Sequence, residues 1–191
     1  HIQGLDLIRS YADELKKRGL RIPFECISRA DRLNEKVVET LAGMGCSRLW
    51  IGSESGSQAV LDAMDRRVSV EQVRSMTLLL KQHGIKTGMF IMLGYEGEEM
   101  EDLEATVDHL KRSDPDTYLT TLAYPIKGTA YYDTVEDRIV TKKDWRERTD
   151  RDLTVSRISS ACSSFRQSTV ISLVFRSLPT LTISTPPRRP P

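Results

Sequence analysis

A chain of 191 residues is long enough for one domain with a real core, but short of the roughly 250 that a complete eight-fold α/β barrel usually takes. With 39% hydrophobic and 29% charged residues it has the balance of a folded globular protein, and no run approaches the roughly 18 apolar residues of a membrane-spanning helix. The net charge of +1 averages two unlike parts: residues 1–152 hold 23 Lys+Arg against all 27 acidic residues, so the main part stands at −4 and argues against broad nucleic-acid binding, while residues 153–191 hold five Arg and no Asp, Glu or Lys.

The start, His1-Ile2-Gln3-Gly4, is neither an initiator Met nor a signal peptide and reads as a cut inside a longer chain. Leu5, Ile8, Ala12 and Leu15 recur at helical spacing and predict a helix over 4–18, ended by Gly19. Ile22 to Ser28 predicts a strand. Asn34 can cap a helix with Val37, Val38, Leu41 and Met44 on one face. Arg48 to Gly52 predicts a second strand, followed by a short helix over 57–64 and a longer one over 70–83, capped by Ser69 and stopped by Gly84. Lys86 to Leu93 is apolar almost throughout, as expected of a parallel strand buried on both faces. A helix over 98–112 and a fourth strand over Asp116 to Ala123 follow. This alternation predicts an α/β fold: a parallel sheet with helices packed on it and right-handed crossovers. A closed barrel and an open doubly wound sheet both fit the pattern, and either would be incomplete.

From about residue 153 Ser, Thr, Arg and Pro dominate, and only Val170–Phe175 is apolar enough for a strand. A disordered tail and a shifted reading frame both account for this, and the loss of every acidic residue and every Lys favours the second. The expected organisation is a folded part over 1–152 and a tail over 153–191 that carries no function. Cys26, Cys46 and Cys162 lie 20 and 116 residues apart, without metal-ligand or redox-motif spacing. No disulfide framework is expected, and a reducing cytoplasm is the simplest setting.

Ligands of parallel α/β folds bind at the carboxyl ends of strands. The first strand ends Ser28-Arg29-Ala30-Asp31, where Arg29 can clamp a carboxylate or simply pair with Asp31. The second ends Gly52-Ser53-Glu54-Ser55-Gly56-Ser57. Its small residues let a ligand approach the backbone, and Glu54 can accept from both hydroxyls of a ribose; an ordinary loop capped by Ser57 fits equally. Arg66, in Met64-Asp65-Arg66-Arg67, can turn back towards a ligand or belong to a solvated basic pair. The third strand ends Leu93-Gly94-Tyr95-Glu96-Gly97-Glu98, and Gly88, Phe90, Met92 and Gly94 share a face against which adenine could lie, or which could pack as core. The fourth ends Tyr124-Pro125-Ile126-Lys127-Gly128-Thr129.

Taken in order and spacing, Phe24 to Asp31, Trp50 to Ser57, Leu61 to Arg66, Met92 to Glu98 and Tyr124 to Thr129 resemble the radical S-adenosylmethionine (SAM) superfamily. The nearest likeness is to its cobalamin-binding branch, which includes anaerobic magnesium-protoporphyrin ester cyclases and many methyltransferases. The resemblance covers roughly residues 4–152, with Trp145 to Leu153 similar to the region just after the barrel. It implies a partial (β/α)6 TIM-like barrel, open-edged, with the third to sixth strands present. It implies that Glu54, with Ser55 beside it, contacts the ribose or methionine part of SAM, that Arg66 binds its carboxylate and that Arg29 lines the pocket. Met92, with the backbone at Gly94 and Tyr124, would hold the adenine.

The resemblance also implies a [4Fe–4S] cluster and cobalamin with ligands outside this chain, because the family's Cys-x3-Cys-x2-Cys loop would lie upstream of His1 and a cobalamin domain further upstream. In the family the cluster passes an electron to SAM and a 5′-deoxyadenosyl radical forms. Without those cysteines the chain alone is expected to be inactive. The parent enzyme would take a small-molecule substrate and a flavodoxin or ferredoxin as reductant, in the cytoplasm, with no nucleic-acid or membrane partner. Two departures stand out: Glu96 where Pro is usual, and Glu99 where Thr is common.

Two other classes stand beside this one. A complete small α/β binding or scaffold protein would start with Met and cap its sheet with a polar first helix, whereas this first helix is amphipathic. A piece of a conventional barrel lyase would use Glu54 as general base and place a Lys or a His cluster at the strand ends. The histidines are His1, His83 and His109, and the last two fall on predicted helices, where solvent-facing positions are expected.

Overall fold

The computed structural model describes residues 5–141, 144, 146 and 153–155. Strands β1 (Phe24–Ser28), β2 (Cys46–Glu54), β3 (Lys86–Leu93) and β4 (Thr117–Leu122) form one parallel sheet in the order β1-β2-β3-β4. Helix α1 (Leu5–Lys17) precedes the sheet; α2 (Glu35–Met44) joins β1 to β2, α3 (Gln58–Ala63) and α4 (Val70–Gln82) join β2 to β3, and α5 (Met100–Ser113) joins β3 to β4. Strands in sequential order with right-handed crossovers put every connecting helix on the same face, the winding of a β/α barrel. A doubly wound sheet requires a reversal of strand order, and this sheet has none. Among the described residues β1 and β4 each pair on one side only, so the barrel is open.

Side-chain caps set the helix starts. Asn34 Oδ1 accepts the Val37 N–H at 3.1 Å, and Ser57 and Ser69 do the same for Val60 and Gln72. The core lies between the helices and one face of the sheet. Leu49, Ile51, Met89 and Ile91, alternate residues of β2 and β3, are buried there with Val38 and Leu41 of α2, Val73 and Leu80 of α4, and Leu103 and Leu110 of α5.

The other face is the barrel interior, and here the structure departs from expectation. Strand β3 is not buried on both faces: Thr87, Met89, Ile91 and Leu93 are buried, but Phe90 and Met92 are only half-buried because the open barrel does not cover them. On the same face Ile27 is 71% exposed. Nor does Gly88 offer a surface to adenine. Trp50 lies over it and stacks on Phe90 with ring centroids 5.0 Å apart. The Trp50 indole donates to Glu25 at 3.0 Å, and Glu25 also pairs with Arg48, so the ring is fixed from its far side. A Cβ at Gly88 would stand 2.4 Å from the Trp50 ring. Gly88→Ala is therefore expected to destabilise the chain by about 2 kcal/mol, read as a lower urea midpoint. An unchanged midpoint would show that the ring does not rest on Gly88.

After β4, α6 (Ala130–Val135) leads to β5 (Ile139–Thr141), which pairs antiparallel with β6 (Leu153–Val155). The first three residues of the expected tail thus sit in a strand. The remainder of that tail, including Val170–Phe175, lies outside the described residues, as does Trp145.

Candidate functional site

The carboxyl ends of all four strands meet at one edge of the sheet. At the end of β2 the chain turns sharply: the Ser55 N–H donates to the Ser53 carbonyl at 2.8 Å, and Glu54 between them takes φ 61. Left-handed backbone costs a residue with a Cβ roughly 1–2 kcal/mol, and such strain gathers where function requires a fixed geometry. The turn buries Glu54 to 8% exposure and aims its carboxylate at Arg66, with which it forms an ion pair. Gly52 makes this possible, since a Cβ there would lie 3.1 Å from Glu54 Oε1.

Arg66 comes from the loop after α3, between two more residues at positive φ, Asp65 and Arg67. Of the two adjacent arginines, Arg67 turns out to pair with Asp65 in solvent, and Arg66 turns in. Arg66 keeps 36% of its side chain exposed, against 10% for Glu54, so it is the more accessible partner of the pair. Arg29 makes the expected pair with Asp31 and a second contact that the sequence did not suggest. It pairs with Asp31 through Nε and Nη2 at 2.9 and 3.0 Å, and its Nη2 also donates to the Arg66 carbonyl at 3.0 Å, tying the end of β1 to the Arg66 loop.

Along β3, Ile91 lies in register with Glu54 and Met92 with Thr121. The Ala123 N–H continues the ladder to the Leu93 carbonyl at 2.7 Å, so Gly94 and the half-buried Tyr124 follow directly at neighbouring strand ends. Gly94 takes φ 75, and its N–H bonds to Glu98 Oε2, a buried carboxyl that desolvation raises from its ordinary 4.5 to about 7. The two departures from the family pattern have local work: Glu96 pairs with Arg138 at 2.6 Å, and Glu99 caps α5 by reciprocal bonds with Asp102. Met92, Gly94 and Tyr124 thus share the edge that holds Glu54 and Arg66.

Ser55 sits differently. Its hydroxyl is buried against Thr106 of α5 at 3.1 Å, on the helix side of the turn. His109, expected to face solvent, is instead fully buried. Its Nε2 lies 2.9 Å from Ser53 Oγ, and Arg74 Nε donates to its Nδ1 at 3.2 Å. Desolvation holds its pKa near 4, below the ordinary 6.5, so the ring is neutral at pH 7. His83 is half-buried and joins α4 to α2 through Glu35 at 2.9 Å. The sequence signal for His109 was its place in Asp102, Thr106 and His109, a polar row at helical spacing beside the apolar row Leu103, Val107 and Leu110.

These residues fit an adenosylmethionine-type ligand: a strained, buried carboxylate for hydroxyls, an accessible guanidinium for a carboxylate, and backbone at two strand ends. They do not fit an iron–sulfur cluster. Cys26 and Cys46 are brought to 3.8 Å between their sulfurs, but among the described residues no group of three His, Cys, Asp or Glu is placed to hold a metal ion. Their mutual hydrogen bond pushes the Cys26 thiol up and the Cys46 thiol down. No helix among the described residues is long and apolar enough to cross a membrane.

Comparison with known proteins gives the same direction. An uncharacterised methyltransferase of Pyrococcus horikoshii is 27% identical over 139 residues, which are 72% of this chain and 30% of that protein. Anaerobic magnesium-protoporphyrin IX monomethyl ester cyclase of Rubrivivax gelatinosus is 29% identical over 108 residues, 56% of this chain and 20% of the cyclase. The chain therefore spans less than a third of these relatives. Among solved structures, the radical SAM methyltransferase TsrM of Kitasatospora setae, with cobalamin and a [4Fe–4S] cluster bound, superposes with a TM-score of 0.70, covering 94% of this chain and 42% of that one at 14% identity, which establishes the shared fold. The radical SAM superfamily profile matches residues 4–110, from α1 through most of α5 and across Glu54, Arg66 and Gly94, and this chain belongs to that superfamily.

Proposed function

We propose that this chain forms the SAM-holding half of a radical SAM enzyme of the cobalamin-binding branch, which in its full-length form carries out methyl transfer or a related radical reaction on a small molecule. The observation that carries the reading is Glu54, buried at the end of β2 in left-handed backbone and paired with an accessible Arg66. Glu54 binds the ribose or methionine part of SAM, Arg66 binds its carboxylate, Arg29 holds the Arg66 loop, and Met92, Gly94 and Tyr124 border the adenine. Ser55 contributes from behind, through α5. Cobalamin, a flavodoxin- or ferredoxin-type reductant and a cytoplasmic setting belong to the full-length enzyme on this reading; the relatives named as a methyltransferase and a cyclase support the reaction class.

Calorimetry of the 191-residue chain with S-adenosylhomocysteine tests the site. Saturable one-to-one binding is expected, and no heat above dilution at millimolar ligand would refute the reading. The same chain mixed with SAM and dithionite is expected to yield no 5′-deoxyadenosine, because Cys26, Cys46 and Cys162 lack the Cys-x3-Cys-x2-Cys spacing of the family's cluster loop. Formation of that product would overturn this part of the proposal.

A further inference from the structure

The turn that carries Glu54 is not stable by its own chemistry. Glu54 stands at φ 61, and a strained residue of this kind persists only where its surroundings over-determine it. What surrounds it is one face of α5. Asp102, Thr106 and His109 lie at helical spacing, and each meets a different residue of the Ser53–Ser57 loop. Asp102 Oδ1 accepts from Ser57 Oγ at 2.6 Å. Thr106 Oγ1 accepts from the Gly56 N–H at 2.9 Å and meets Ser55 Oγ at 3.1 Å. His109 Nε2 meets Ser53 Oγ at 2.9 Å.

Around Thr106 the donors and acceptors pair off. Thr106 gives its proton to the Asp102 carbonyl at 2.9 Å, which leaves its oxygen as acceptor for both Gly56 N–H and Ser55 O–H. Ser55 Oγ in turn accepts from the Ser57 N–H at 3.1 Å. Arg74 donates to His109 Nδ1, so the proton of the neutral ring sits on Nε2 and is donated to Ser53. Gly56 sets the distance: a Cβ there would stand 2.5 Å from the Ala105 carbonyl and from Thr106 Cα, so the loop lies directly on the helix. Ser53, Ser55 and Ser57 all point to α5, and Glu54 between them is turned to Arg66.

We propose that Asp102, Thr106 and His109 are positioning residues for the SAM site, a helical template that holds the Ser53–Ser57 loop in the one shape that delivers the Glu54 carboxylate to the ligand. This rests on the reading of Glu54 as a SAM ligand. The template acts through hydrogen bonds made before any ligand arrives, so its loss weakens binding by letting the turn relax rather than by removing a contact to SAM.

The test uses the 191-residue chain, S-adenosylhomocysteine calorimetry and amide hydrogen exchange. Thr106→Val keeps shape and removes the acceptor. It is expected to raise Kd by about tenfold and to speed exchange of the Gly56 amide by at least about as much. Thr106→Ser, which restores the oxygen, is expected to keep both within about twofold of wild type. Thr77→Val is the control for lost stability: it removes a buried hydroxyl on α4 that bonds only its own helix at the Val73 carbonyl. It should lower the thermal midpoint without changing Kd. Wild-type affinity in Thr106→Val, whatever its exchange rate, or equal weakening in Thr77→Val, overturns the proposal. Should Thr106→Val fail to fold, Ser53→Ala cuts the template at its His109 link from the loop side, and a Kd within about twofold of wild type then overturns it. A wild-type chain that does not bind the probe refutes the cofactor reading itself, whereas binding that is indifferent to these variants refutes only the template.

Discussion

Glu54→Ala is expected to raise the Kd for S-adenosylhomocysteine by about 100-fold, roughly 2.7 kcal/mol, because it removes a charged acceptor and leaves Arg66 without its partner. Stability separates this loss from a folding defect. Alanine keeps a Cβ at φ 61, so Glu54→Ala retains the backbone strain and loses the ion pair that opposed it. Glu54→Gly loses the same ion pair but relieves the strain, and is expected to be more stable than Glu54→Ala by about 1 kcal/mol in urea denaturation. Both variants should bind equally poorly. If Glu54→Gly binds as wild type does, the carboxylate is not a ligand; if it is less stable than Glu54→Ala, the turn is not strained. The position shows why an α/β fold would keep a charged residue where glycine is easier: the left-handed turn is what points the carboxylate away from the helices.

The second large effect concerns pH. Glu98 rises from an ordinary 4.5 to about 7 in the fold, chiefly by desolvation. Between those values the folded chain holds a proton that the unfolded chain has released, so this group's contribution falls as pH rises, and the loss is complete above pH 7. His109 falls from 6.5 to about 4, again by desolvation. Between those values the unfolded chain holds a proton that the fold excludes, so its contribution grows with pH and is complete above pH 6.5. Each gap corresponds to about 3 kcal/mol, with opposite slopes. The wild-type chain should therefore show nearly flat stability between pH 4.5 and 6.5. Glu98→Gln, which keeps an acceptor for the Gly94 N–H, should expose the His109 slope as a gain of about 3 kcal/mol from pH 4 to 6.5. His109→Gln, which keeps a donor for Ser53, should expose the Glu98 slope as a loss of about 3 kcal/mol from pH 4.5 to 7. Urea midpoints across that range decide it, and two flat profiles would show that neither group is desolvated as the fold implies.

What the amino-acid order determined by itself was whatever depends on near neighbours. Asn34, Ser57 and Ser69 mark helix starts because a cap reaches only two or three residues ahead. The alternation of strand and helix, and the small residues at each strand end, follow from periodicity and from the backbone freedom of turns. Motif order was enough to place Glu54, Gly94 and Tyr124 near one another, since strand ends of a parallel sheet share an edge.

Tertiary structure decided what depends on partners far along the chain. The strand order chose the barrel winding over the doubly wound one, because spacing along a sequence carries no information on which strand pairs with which. Arg66 rather than Arg67 turns inward only because Glu54 waits there. Trp50 fills the space over Gly88, and Cys26 meets Cys46 across neighbouring strands. His109 looked like a solvent-facing helix residue because its partner, Ser53, is 56 positions away. A polar side chain on a helix is charged to solvent by default, and only a buried, bonded partner on another element reverses that.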